Sequence, residues 1–358
     1  MEQEKISVIL PVYNGAAWIG ECIRSIQAQT WKNWELLVLD DSSRDGTGEL
    51  VQRFAGTDGR IRLVNRKKKG VSSARNQGIA ETDGAYFTFV DADDKLAPRM
   101  FEVLAACLET EKSDLAVCDY YRWDGTETGV FLRSGEKIPA DRDNSVDRDN
   151  PADRDNSAAR ENPARAAKTV DAAAYLADYL LRGNTRCWSA LYRRRTAGSV
   201  RFREELSIGE DMMFLMDLLP ALSRVTITDY RGYYYRVNLS GAMLRPFTPS
   251  YMDEVKSWRL ACRRVESLYP AQRARVYSIL AVSAMLAAGK LARLSGKERA
   301  GYRAQIAACK EAVREALAVP GAKRELPPGY RFKTGLYRTS PALYLALYHF
   351  WKREEAVG

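Results

Sequence analysis

Apolar positions in the first hundred residues follow two alternating rhythms. Residues 6–13 (ISVILPVY) form an unbroken apolar run of strand length, the pattern of a strand buried on both faces. Across 16–29 the spacing changes, and Trp18, Ile19, Cys22, Ile23 and Ile26 recur with the 3.6-residue period of a helix. A second buried strand, 34–39, runs into Asp40-Asp41; 42–47 reads as a turn and 48–54 as a short helix. Then follow a strand at 61–65, a helix at 72–80, a strand at 86–90 and a helix opened by Pro98 in its first turn. Strands alternating with helices predict an α/β fold with a mostly parallel sheet, whose ligands gather at the strand C-termini. Three polar clusters fall at those ends: Tyr13-Asn14, Asp40-Asp41, and Asp91 to Asp94.

The pattern breaks at 141–164, where DRDNSV, DRDNPA, DRDNSA and ARENPA follow one another as imperfect six-residue repeats. A β-helix needs an apolar residue buried at each turn, and only Val or Ala is available, so a disordered surface loop is expected. Residues 171–181 read as a helix, 184–214 are dense in Trp, Tyr and Arg, and 226–237 alternates as a strand does. From 251 onward the pattern is helical, interrupted at Pro270, near Gly296 and across 320–329.

Composition narrows the chemistry. The 358 residues hold one histidine, His349, which excludes zinc sites built on paired histidines and HExxH proteases. A Ser-His-Asp triad would have to use His349, inside the aromatic run PALYLALYHFWKR where a histidine is ordinarily packing. Catalysis therefore falls to carboxylates. The six cysteines are scattered without a CxxC pair, as buried thiols of a reducing compartment are. No signal peptide is expected from the polar 1–5 segment, and 278–294 is interrupted by Ser283, Gly289, Lys290 and Arg293, too often for a spanning helix. A cytoplasmic protein, or one peripheral on the inner face of the membrane, is expected.

Charge divides unevenly. The formal net charge of +9 resolves into −2 over residues 1–250 and +11 over 251–358. That confinement argues against nucleic acid as partner. It leaves two readings of the tail: solvated helix faces, or an anionic partner such as a membrane surface or a phosphate-bearing acceptor.

Carboxylates spaced two positions apart at a strand end, as Asp91 and Asp93 are, suit a divalent ion held through oxygen; the alternative is that they cap the next helix. Their neighbours bear on the choice. The chain reads ISVILPVYN, WELLVLDDSSRDGT, GVSSARNQGIAETDGAYFTFVDADDKLAP and SIGEDMMF in that order. This succession resembles the inverting family 2 glycosyltransferases of the GT-A fold, with their PVYN, VDDGSTDGT, ARNxG, LDxDD and GED segments, over roughly residues 5–245 outside the repeats. Envelope and capsular polysaccharide enzymes of bacteria are the most similar kind.

The resemblance implies a metal-dependent transfer of a sugar from a nucleotide-diphosphate donor, UDP-linked above all, to a hydroxyl of a glycan or lipid-linked acceptor. It places the nucleotide on Pro11, Tyr13, Asp41 and Arg75, with Asp91 at the ribose or a bound water. Mn²⁺ or Mg²⁺ falls to Asp93 with Asp91 and Asp94, and the diphosphate to Arg236 and Ser240. Asp211 of the GED segment becomes the base and Glu210 its neighbour. The implied organisation is 1–135 as the donor-binding half of a GT-A domain, 136–168 as the repeat loop, 169–250 as the acceptor-binding half, and 251–358 as a basic helical extension open to membrane contact. Two departures stand out. Asn238 occupies the place of a family histidine, which leaves the metal to carboxylates and water. Ser189-Ala190 replaces the Asn-Lys of WNKLY in a loop expected to border the acceptor. The competing readings are a catalytically inactive nucleotide- or carbohydrate-binding protein of the same fold, and a nucleotidyltransferase, for which PVYNGAAW lacks the Gly-rich phosphate loop.

Overall fold

A computed structural model describes residues 3–67, 69–123, 167–237 and 246–354. The hexapeptide repeats, Asn238 and Ser240 lie outside the described residues. The chain divides into two compact units: residues 1–175, 186–202 and 218–239 form the first, and 176–185, 203–217 and 240–358 the second.

In the first unit the expected alternation holds through β1 (Ile6–Val12), α1 (Ile19–Gln27), β2 (Trp34–Asp40), α2 (Thr47–Thr57), β3 (Ile61–Asn65), α3 (Val71–Glu81) and β4 (Tyr86–Phe89). It continues with β5 (Lys95–Leu96), α4 (Met100–Thr110), β6 (Leu115–Trp123), β7 (Ala167–Val170), α5 (Ala172–Asp178), β8 (Ala190–Arg193) and β9 (Val225–Arg236). The strands make a nine-stranded sheet in the order β3-β2-β1-β4-β8-β6-β9-β5, with β7 on β9. The sheet is mixed. Strands β1 to β4 pair in parallel, β8 joins antiparallel to β4 and β6, and β9 runs parallel to β6 and antiparallel to β5 and β7.

Register brings the chemistry together. Val12 pairs with Asp40 and Asp40 with Asn65, so three strands stop at one level, and the Asp41 N–H donates to the Val12 carbonyl at 2.8 Å. One face of β1 (Ile6, Val8, Leu10, Val12) packs into a core with Ile19, Cys22, Ile23 and Ile26 of α1. On the other face α3 lies so close that a Cβ at Gly78 would come within 2.3 Å of Ile9 Cγ2. The glycine of ARNQG is thus a packing requirement.

The second unit is helical beyond the sheet, with α6 (Glu210–Leu218, whose last residue belongs to the first unit), α7 (Met252–Leu268), α8 (Arg273–Arg293), α9 (Arg303–Ala318), α10 (Pro328–Thr339) and α11 (Pro341–Glu354). The segment Pro270–Arg293 is long and apolar enough to cross a membrane by length and composition, but 67% of its most apolar window is buried, as in a core helix. His349 pairs its Nδ1 with the Ala292 carbonyl at 2.8 Å, a packing role. All six cysteines are buried thiols.

Candidate active site

The loops after β1 and β2 are laced to each other. Asn14 Oδ1 accepts from the Arg44 N–H at 2.9 Å, and the Asn14 N–H donates to Ser43 Oγ at 2.8 Å. Gly15 N–H reaches Thr47 Oγ1 and Ala16 N–H reaches Asp45 Oδ2. Burial opposes ionisation of Asp45, but the hydrogen bonds from Thr47 and Ala16 prevail and hold its carboxyl below the ordinary range. Asn14 and Ser42 both adopt positive φ (51° and 70°), the turn that each strand end needs before its loop can cross to the other. Tyr13 emerges from this lacework 47% exposed, while Pro11 is buried within β1.

Asp41 is buried and holds the segment leading to α3. Its Oδ2 accepts from the Gly70 N–H at 2.8 Å, its Oδ1 from the Lys69 N–H at 3.0 Å, and Arg66 Nη1 lies 3.6 Å away. Arg66, 5% exposed at its side chain, is a cation beside this carboxylate that the sequence reading did not single out. An open cavity of about 530 Å³ flanks the neighbouring Asp40, with Ser43, Gly48 and Asn65 in its wall.

The acidic strand end is a built turn. The Asp94 N–H donates to the Asp91 carbonyl at 3.1 Å. Tyr233, fully buried, serves both acids: its hydroxyl donates to Asp94 Oδ2 at 2.8 Å and accepts from the Asp91 N–H at 3.1 Å. The other Asp94 oxygen accepts from the Arg236 N–H at 2.7 Å. Burial, then repulsion from Asp91 and Asp93, raises the Asp94 carboxyl well above its ordinary range. Burial also raises Asp93, against the pull of Arg236.

Three of the expected site residues have partners inside the fold. Asp94, whose two oxygens accept from Tyr233 and the Arg236 N–H, anchors the turn. Arg75, expected at the base, points its Nη2 to Asp91 Oδ1 at 3.0 Å and lies over Phe202, so it positions Asp91. Arg236, expected at the diphosphate, donates its Nε to the Asp93 carbonyl and its Nη2 to Glu21 Oε2, each at 2.7 Å, and stacks over Trp123 at 4.0 Å. Its guanidinium holds the Asp93 backbone in place. Ser240, expected beside it, lies outside the described residues.

Trp188 adds a platform that sequence reasoning missed. It stacks between Tyr233 (4.5 Å, 19°) and Tyr235 (5.2 Å, 8°), with Arg186 over its ring at 4.9 Å. The Tyr-Tyr-Tyr segment was the available signal. Ser189 and Ala190, expected on an acceptor-facing loop, are instead buried at the start of β8, where the Ser189 carbonyl accepts from Cys118 N–H and that of Ala190 from Thr88 Oγ1.

In the second unit, Glu210 and Asp211 open α6, both half-buried. Gly209 precedes them at φ +83°, and a Cβ there would meet Ser257 Oγ at 2.2 Å. The GED glycine thus supplies both a left-handed turn and a close approach to α7. Asp217 fixes the far end of that segment through Arg203 at 2.9 Å.

Residues 7–159 match the family model described as glycosyl transferase family 2. The chain carries a family 2 glycosyltransferase domain. It is 30% identical over 256 residues to the uncharacterized glycosyltransferase EpsJ of Bacillus subtilis, covering 70% of this chain and 65% of EpsJ. It is 35% identical over 130 residues to the glycosyltransferase GlyG of Streptococcus pneumoniae, covering 36% of this chain and 43% of GlyG. The match thus spans less than two thirds of these relatives' own lengths. Among solved structures, TarS 1–349 of S. aureus in complex with UDP-GlcNAc superposes over 98% of this chain and 92% of that chain at a TM-score of 0.67 and 18% identity. Mannosyltransferase PcManGT of Pyrobaculum calidifontis, in complex with GDP-Man and Mn²⁺, gives a TM-score of 0.51 over 98% of this chain and 88% of its own at 18% identity. These two structures share the GT-A-type fold of the family 2 domain.

Proposed function

We propose that the protein is a metal-dependent, inverting glycosyltransferase that takes a nucleotide-diphosphate sugar, UDP-linked, and passes the sugar to a hydroxyl of a glycan or lipid-linked acceptor in polysaccharide synthesis. One observation carries the reading: a strand end with three carboxylates whose turn is fastened by Tyr233, Arg236 and Arg75, leaving Asp93 as the acid whose side chain those groups do not consume. The neighbours' ligands, UDP-GlcNAc in TarS and GDP-Man with Mn²⁺ in PcManGT, support a nucleotide-sugar donor.

Among the described residues no group of three or more His, Cys, Asp or Glu side chains is arranged to hold an ion alone. The donor set nevertheless fits a hard cation completed by diphosphate and water: Asp93 and Asp91 offer carboxylate oxygens, and a positive neighbour offsets the burial that raises Asp93. When bound, Mn²⁺ or Mg²⁺ offsets charge on the departing diphosphate. Tyr13 offers its exposed ring to the base. Asp41, whose oxygens keep lone pairs beyond the two N–H groups they already accept, takes an imide N–H. Arg75 orients Asp91. In the transfer, the acceptor oxygen bonds to the anomeric carbon as the bond to the diphosphate oxygen breaks on the opposite face, and Asp211 receives the hydroxyl proton while Glu210 steadies the acceptor. The basic helical region, +11 over residues 251–358, suits an anionic membrane face.

The test is hydrolysis and transfer on a panel of nucleotide sugars with Mn²⁺, comparing the wild type with Asp93→Ala. Loss of turnover in the variant supports the reading. Tight nucleotide binding with no turnover on any donor returns the protein to the binding-protein alternative.

A further inference from the structure

The helical unit contains a cavity that the proposed transfer does not use. It measures about 310 Å³ and is walled by α8, α10, α11 and the start of α7. Three cations face it: Lys290 and Arg293, one helical turn apart on α8, and Lys333 from α10. Four phenol rings, Tyr251, Tyr330, Tyr344 and Tyr348, make up much of the remaining wall. Lys290 Nζ sits 4.1 Å over the Tyr251 ring and Lys333 Nζ 5.3 Å over Tyr330, so both ammonium groups are steered by aromatic faces. The acid in the wall is Glu254, whose Oε1 already accepts from Trp258 Nε1 at 3.0 Å and whose carboxyl burial biases toward the neutral form. Burial, then repulsion from Arg293, lowers the Lys290 ammonium, the condition an incoming anion relieves. Tyr251, Tyr330 and Tyr344 are all raised by burial, so their hydroxyls remain donors.

We infer that this cavity binds a phosphate ester carried on a sugar or polyol, the cations taking the phosphate and the phenols taking the ring and its hydroxyls. Ammonium and guanidinium groups recognise phosphate oxygens through charge-assisted hydrogen bonds, and flat rings pack on the apolar face of a sugar. The volume suits a monosaccharide phosphate or a lipid headgroup of that size.

Calorimetric titration of the full chain with glucose 1-phosphate, with glucose as the neutral control and no donor present, tests the inference. Glucose 1-phosphate should bind at least about tenfold more tightly than glucose, and a Lys290→Ala/Lys333→Ala variant should lose about tenfold of that affinity. Arg293→Glu, at an exposed position, should weaken binding too and keeps the test open if the double variant unfolds. Sedimentation with phosphatidylcholine vesicles, with and without phosphatidylglycerol, separates the sources. Binding of glucose 1-phosphate alone marks a soluble ester; binding of the phosphatidylglycerol vesicles, lost in the variants, marks a lipid headgroup. Equal affinity for glucose and its phosphate, undiminished binding in folded variants, or no binding to either probe overturns the inference. Because turnover is not read, such failure leaves the proposed transfer untouched.

Discussion

The acidic strand end of the first unit and the cationic cavity of the second are opposite in sign and alike in construction. In both, the fold crowds like charges and disfavours the charged form: burial and neighbouring acids raise Asp94, while burial and Arg293 lower Lys290. Asp58 shows what a carboxylate does when the fold supplies its partner. Arg60 grips it through Nε and Nη2 at 2.9 and 2.8 Å, and its carboxyl is held far below the usual range. Asp58 is settled by an opposite charge, whereas Asp94 and Lys290 sit among like ones.

The largest expected effect is at Asp93. Asp93→Ala should lower turnover about a thousandfold, several kcal/mol of lost cation-assisted stabilisation, with the melting temperature held or raised because a crowded acid has gone. Melting curves alongside kinetics check this. Next comes Tyr233→Phe, which strips one hydroxyl from two partners. It should cost about 1–3 kcal/mol of stability and weaken Mn²⁺ affinity, seen as a higher metal concentration at half-maximal activity. Arg75→Lys sharpens the distinction between a base reader and a positioning residue. If Arg75 acts through Asp91, activity should fall about tenfold while UDP affinity changes little, because Lys cannot reproduce the planar donor geometry.

The smallest effect is at Asp58. Its folded pKa is depressed, so its stabilisation is present above the unfolded value near 4 and is lost as pH falls through the folded one. Asp58→Asn should therefore cost about 1 kcal/mol near neutrality, modest because the Arg60 side chain is 39% exposed, with the gap from wild type closing in acid. A gap independent of pH would remove the contrast with the strand-end acids.

Much of the first unit was legible because buried parallel strands announce themselves as apolar runs, and because each run ended on polar residues. Strand β6 was passed over although Leu115 to Cys118 is apolar: its second half, Asp119 to Trp123, mixes charged and aromatic residues without strict alternation. Strand β8 has four residues and exists through partners on β4 and β6 that are distant in sequence. The same limit governed the side chains. Arg236 reads as a free cation in YYYR, yet its guanidinium finds Glu21 on α1, 215 residues earlier. Asp94 and Asp93 look interchangeable in DADD until Tyr233 singles one out. The co-occurrence of PVYN with RDGT did have a local cause, the hydrogen bonds that Asn14, Asp45 and Thr47 accept from the Arg44, Ala16 and Gly15 N–H groups, which only the folded loops display.

The most direct measurement is single-turnover sugar transfer from UDP-GlcNAc with Mn²⁺, comparing the wild type with Asp211→Asn at matched donor occupancy. A fall in the transfer rate of at least about a hundredfold with donor binding intact is the predicted result for a lost general base. Undiminished transfer in Asp211→Asn would contradict it.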